Sequence, residues 1–129
     1  KGRVVILSIG YFDQSRKQSE DNSAEVKRRG DFYSAYKDKG LEVIRISSKR
    51  AVPFFVTKSF VESRARKTCE MDNDPWTVII DWDGSLKELL KMADSPLTFI
   101  IDKSGIIRYK KNGYLIVDKE VEELVKKLI

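Results

Sequence analysis

Histidine is absent from the 129 residues, and cysteine occurs once, as Cys69. The first absence removes the side chain whose pKa best suits general acid–base work near neutrality, and with it the commonest nitrogen ligand for metals. The second excludes an internal disulfide, so cysteine usage does not identify the redox compartment. Proline is scarce as well: Pro53 falls in a loop, Pro75 just past a helix end and Pro96 at a strand entrance. No apolar run approaches the roughly 20 residues that a helix needs to cross a bilayer, so membrane insertion is not expected. The opening, Lys1 to Leu7, lacks the longer apolar stretch and small-residue cleavage site of a secretory signal, and no targeting segment is expected in the chain as it stands.

What is present suits one packed unit. Hydrophobic residues make up 41% and charged residues 35%. That supports one core in a length too short for two, and predicts a single domain over residues 1–129. The net charge of +5 is carried by Arg16-Lys17, Lys27-Arg28-Arg29, Lys49-Arg50, then Arg64, Arg66 and Lys67, and finally Lys103, Arg108, Lys110 and Lys111. Acidic residues interleave with most of these clusters, which makes them solvated faces, and nucleic-acid binding is not expected.

Val4 to Ile9 is a near-continuous apolar run, the pattern of a central strand covered on both faces. Val26, Phe32, Tyr33, Ala35 and Tyr36 fall near three- and four-residue spacing and predict an amphipathic helix ending at Gly40. Leu41 to Ser47 alternates and is rich in β-branched residues, so strand-helix-strand order predicts a parallel pair. Thr57 or Ser59 can cap a helix running to about Cys69. Trp76 to Asp81 predicts a short strand or extended segment. Ser85-x-x-Glu88 has the spacing of a capping box, with Leu86, Leu89 and Leu90 as the buried stripe behind it.

After Ser95-Pro96, the run Leu97 to Asp102 predicts a strand, Lys103-Ser104-Gly105 a turn, and Ile106 to Tyr109 an antiparallel return. Asp118 opens the last helix, in which Val121, Leu124, Val125 and Leu128 share a face. Its Glu120, Glu122 and Glu123 come early and its Lys126 and Lys127 late, as the helix dipole favours. Asp81, Asp83 and Asp102 stand at strand ends and turns, where aspartate serves the backbone. No metal site and no cofactor is expected from them. Trp76, Trp82, Phe54 and Phe55 are read as core and sheet cover before they are read as a partner surface.

The order of these elements resembles that of thioredoxin-like domains: an α/β three-layer sandwich, with a central mixed sheet and helices on both faces. Lys1-Gly2-Arg3-Val4-Val5-Ile6-Leu7-Ser8 resembles the opening of the redoxin branch, TlpA, ResA and their relatives. Ser95-Pro96-Leu97-Thr98-Phe99-Ile100-Ile101-Asp102-Lys103-Ser104-Gly105-Ile106-Ile107 is similar to that branch's Pro-Thr-Thr-Phe-Leu-Ile-Asp-x-x-Gly-x-Ile. Leu41 to Arg50, with Pro75-Trp76 later, is also similar to tryparedoxin and nucleoredoxin domains.

Those families place Cys-x-x-Cys at the start of the first helix, where the dipole and nearby N–H groups lower the nucleophile's pKa. Laid without gaps from Lys1-Gly2, the two cysteine positions fall on Gln14 and Lys17, the glutamate that often follows on Glu20, and the family's tryptophan on Asp13. Neither glutamine nor lysine can attack or resolve a disulfide. The resemblance therefore implies a domain without redox-active cysteines or any catalytic residue, acting as a binding or structural module.

A protein or peptide partner would lie along Tyr11 to Lys17 and against Ser95-Pro96, where a cis proline leaves the preceding backbone free to pair with an extended peptide. The binding residues implied are Asp13, Gln14, Lys17, Ser95 and Pro96. The alternative is a thiol-disulfide oxidoreductase or peroxidase relative acting through Cys69 or through cysteines outside this chain. The resemblance also implies an extracytoplasmic location.

Overall fold

The computed structural model describes residues 2–11, 22–48, 57, 59–60, 62–63, 66, 75–81, 84–89 and 96–129. In chain order these form β1 (Val4–Tyr11), α1 (Asn22–Tyr36), β2 (Leu41–Ser48), β3 (Thr77–Asp81), α2 (Ser85–Leu89), β4 (Leu97–Ile101), β5 (Ile107–Asn112) and α3 (Lys119–Leu128). The five strands make one sheet in the order β3-β2-β1-β4-β5. β1, β2 and β3 run parallel, while β4 is antiparallel to β1 and β5 to β4.

The apolar run predicted to be a central strand is central. Val4 lies opposite Leu41, and Ile6 lies opposite both Val43 and Ile100, so these residues share one face of the sheet. On that face they join Phe32 and Tyr36 of α1 and Val121 and Val125 of α3 in a single buried core. Ile9 and Ile46, one residue out of phase, are buried on the opposite face. A sheet with buried apolar residues on both faces is the middle layer of a sandwich, which is why β1 and β2 read as nearly continuous apolar runs.

Local chemistry sets the joints. α1 gives way to a 3-10 turn, Lys37–Lys39, and Gly40 closes it at φ 106°, a left-handed conformation that favours glycine. The Gly40 carbonyl then accepts from the Val4 N–H at 2.9 Å, so the end of the helix is bonded to the start of the central strand. Asp118 caps α3 by accepting from the Val121 N–H at 2.9 Å. The Tyr36 hydroxyl donates to Glu122 at 2.8 Å and ties α1 to α3. Thr57 accepts from the Phe60 N–H at 3.2 Å, the first-turn bond expected of a cap, and Ser59, Phe60, Glu62, Ser63 and Arg66 are helical.

Two expectations need correction. Ser85 is the first helical residue of α2 rather than the residue before it, and the Leu86 N–H donates to Asp81 at 3.4 Å. Leu89, expected in the buried stripe, is 76% exposed. Leu90, the last residue of that expected stripe, lies outside the described residues. Trp76 is core, packed edge-on to Tyr33 with ring centroids 6.1 Å apart. No helix among the described residues is long and apolar enough to cross a membrane.

Candidate functional site

Parallel pairing brings the carboxyl ends of three strands level. Tyr11 lies opposite Ser48, and Ser48 opposite Asp81. β4 enters from the same end, because Leu97 pairs with Ile9, and one further step of that register sets Pro96 beside Gly10. In open α/β sheets the carboxyl ends of parallel strands are the usual place for ligands, because the chain turns there leave a crevice.

Backbone and side-chain bonds define this end. The Gly113 N–H donates to the Pro96 carbonyl at 2.8 Å, and the Thr98 hydroxyl donates to the Gly113 carbonyl at 2.9 Å. The loop after β5 is thereby fastened to the entrance of β4. The next residue, Tyr114, covers Gly10: a Cβ built on Gly10 would lie 2.6 Å from the tyrosine Cε1. Only glycine lets the ring lie this close to the strand.

A buried polar layer runs through the same strand ends. Ser8 lies opposite Arg45 and Gly10 opposite Ser47, and Ser8, Arg45 and Ser47 are all buried. The Ser47 hydroxyl has no hydrogen-bond partner among the described residues. On the other face the buried Ser48 hydroxyl donates to Asp81 at 2.8 Å, and the second carboxylate oxygen of Asp81 receives the Leu86 N–H. Asp81 thus holds the end of β2 and the start of α2 together, a backbone role of the kind read for it from the sequence.

Asp102, at the far end of the hairpin, has the same character. It accepts from the Ser104 N–H at 2.9 Å, the Ile106 N–H at 3.0 Å and the Arg108 Nε at 2.6 Å. The bond from Ile106 above all, and then Arg108, holds its carboxyl below the usual carboxylate value. Its oxygens are committed to the turn.

Of the residues implied as a binding surface, Pro96 is described, half-buried at the entrance of β4. Asp13, Gln14, Lys17 and Ser95 lie outside the described residues, as do Cys69, Asp83, Trp82, Phe54 and Phe55. The isomer of the Ser95-Pro96 bond lies outside them too. The strands that carry these segments, β1 and β4, have their relevant ends side by side. The described side chains at this end are the buried Ser8, Arg45 and Ser47 on one face, the bonded pair Ser48 and Asp81 on the other, and the Tyr114 ring over Gly10, with neither thiol nor imidazole among them. Sequence reasoning missed Tyr114, Ser8 and Arg45. A glycine at the end of an apolar strand was the one available signal, since it marks a close approach without naming what approaches.

The fold has many relatives among solved structures. The thioredoxin domain of a thiol-disulfide oxidoreductase from Bacteroides vulgatus superposes with a TM-score of 0.67 at 21% identity, covering 98% of this chain and 79% of its own. A thiol:disulfide interchange protein from Bacteroides sp. gives 0.66 at 20% identity, with 99% and 74% covered. StoA from Bacillus subtilis gives 0.61 at 15% identity, with 95% and 82% covered. No curated protein matches the chain by sequence. The family model for Redoxin matches residues 23–128, a span that starts in α1 and holds β2 to β5 and α3. With this match, a five-stranded mixed sheet and a sequence in which Cys69 is the lone cysteine, the chain belongs to the redoxin family, with a thioredoxin-like fold and no Cys-x-x-Cys pair.

Proposed function

We propose that this redoxin domain is a non-catalytic binding module that recognises a protein or peptide at the carboxyl end of β1 and the entrance of β4. The observation that carries the reading is the thiol inventory. Reduction of a disulfide by a dithiol protein needs one thiolate to attack and form a mixed disulfide, and a second to displace it and leave the protein oxidised. A chain whose single cysteine is Cys69, with Gln14 and Lys17 at the positions that correspond to the pair, lacks the second step within itself. What supports binding is the remaining half of the arrangement: Pro96 level with Gly10, Gly113 fastened to it, and Tyr114 over the strand end.

In this reading Asp13, Gln14 and Lys17 supply polar and charged contacts from the segment that follows β1 in the chain. Ser95-Pro96 offers backbone groups to an extended partner.

A disulfide-reduction assay on the purified chain tests the proposal. Turnover no higher than that of the free reductant is expected, for the parent and for Cys69→Ser alike. Turnover that survives Cys69→Ser would defeat the reading, and turnover abolished by that change would make Cys69 the working thiol and the protein an enzyme.

A further inference from the structure

Among the described residues the sheet ends at β5, and the pairing shows which of its backbone groups face away from β4. Residues face each other across β4 and β5 from Leu97 with Asn112 to Ile100 with Tyr109. The Gly113 N–H donates to the Pro96 carbonyl, which makes that pair the hydrogen-bonded kind. The two kinds alternate along an antiparallel ladder. Lys111 and Tyr109 therefore also turn their N–H and C=O groups towards β4, while Lys110 and Asn112 turn theirs outward.

The side chains on this edge are of one sign. Between Asp102 and Asp118 the chain carries Lys103, Arg108, Lys110 and Lys111 and no acid. Arg108 is held by Asp102, whereas neither Lys110 nor Lys111 has an ion-pair partner among the described residues. Lys110 and Asn112 are exposed on one face, and Lys111 is half-buried on the other. Asp118 and Glu120 lie near Tyr109 on the side of α3, so an anionic approach is favoured along the open edge rather than over that helix. Edge lysines commonly guard a sheet against edge-to-edge pairing. Here the opposite edge, β3, is Thr-Val-Ile-Ile-Asp and carries no base. The charges that repel β5 of a second copy attract a strand of opposite sign.

We propose that the open edge of β5 docks an acidic extended segment of another protein as an additional strand. Its backbone bonds to Lys110 and Asn112, and consecutive carboxylates face Lys110 on one side of the sheet and Lys111 on the other. The proposal stands apart from the site at Pro96 and does not depend on the state of any thiol.

The test uses the full chain and a blocked peptide, Thr-Val-Glu-Glu-Val-Thr, beside the same peptide with glutamine for glutamate. Amide exchange followed by NMR is expected to slow by about tenfold or more at Lys110 and Asn112 when the acidic peptide is saturating, and to stay unchanged at Tyr109 and Lys111, already bonded to β4. In fluorescence anisotropy, Lys110→Glu is expected to weaken binding by about tenfold or more, and Lys110→Arg to retain it. Lys110 is exposed, and circular dichroism verifies that each variant is folded.

Three outcomes would overturn the proposal. One is no binding of the acidic peptide, and another is binding that leaves the Lys110 and Asn112 amides unprotected. The third is tighter binding of a thymidine oligonucleotide with the same dependence on Lys110, which would mark the edge as a polyanion surface.

Discussion

Gly10 has no room for a side chain, because a Cβ there would meet the Tyr114 ring well inside contact distance. Gly10→Ala should therefore cost about 1–3 kcal/mol, the range for overpacking a close-packed site, as read by urea denaturation. The loss should shrink when Tyr114 is also changed to alanine, and simple addition of the two effects would show that the ring is not the cause. Asp102 gives a pH-dependent counterpart. Its folded pKa lies below the ordinary value because Ile106, Arg108 and Ser104 all donate to the ionised form. Its contribution is thus present above an unfolded pKa of about 3.9 and is lost as pH falls through the folded value. Asp102→Asn should be less stable than the parent at neutral pH, with the difference closing below about pH 4. The turn role of Asp102 was legible because its partners lie within six residues. Tyr114 over Gly10 was not, because nothing local links positions so far apart in the chain.

At the scale of elements, the last helix was the most readable. Asp118 caps it as its sequence position implies, and Val121 and Val125 are buried as their spacing implies. Asp118→Ala should cost about 1 kcal/mol, the usual value of an N-cap, and thermal unfolding would measure it. An unchanged midpoint would mean that packing against the sheet holds the first turn without the cap. α2 was read less well. Its leucines fit a helical stripe, yet Leu89 is exposed, since the face this helix buries is decided by where Asp81 and Gly84 hold its first turn. The hairpin was right in type, but the return strand begins at Ile107 rather than Ile106, and both are more than half exposed, Ile106 in the turn and Ile107 at the start of an edge strand.

At the scale of the molecule, the core on the α1–α3 face carries the stability. Ile6 is fully buried at the centre of the sheet, and Ile6→Ala should cost about 2–5 kcal/mol in denaturant unfolding. The gap-free placement of Gln14 and Lys17 at the lost thiol positions has its own test. Gln14→Cys combined with Lys17→Cys should yield an intrachain disulfide, seen as loss of free thiol under oxidising conditions in a Cys69→Ser background, and two thiols that stay free would disprove the alignment. The β1–β2 parallel pair, the antiparallel terminal hairpin, the final helix and the absence of a dithiol were determined by the sequence alone, because periodicity, short connections, capping and a cysteine count are local or additive properties. Which strand ends come level, that Tyr114 closes over Gly10, that Ser8, Arg45 and Ser47 form one buried layer, and that β5 presents Lys110 and Asn112 to an open edge were decided only by the tertiary structure. Each of these depends on register between segments distant in the chain, and register is set by the packing of the whole sheet.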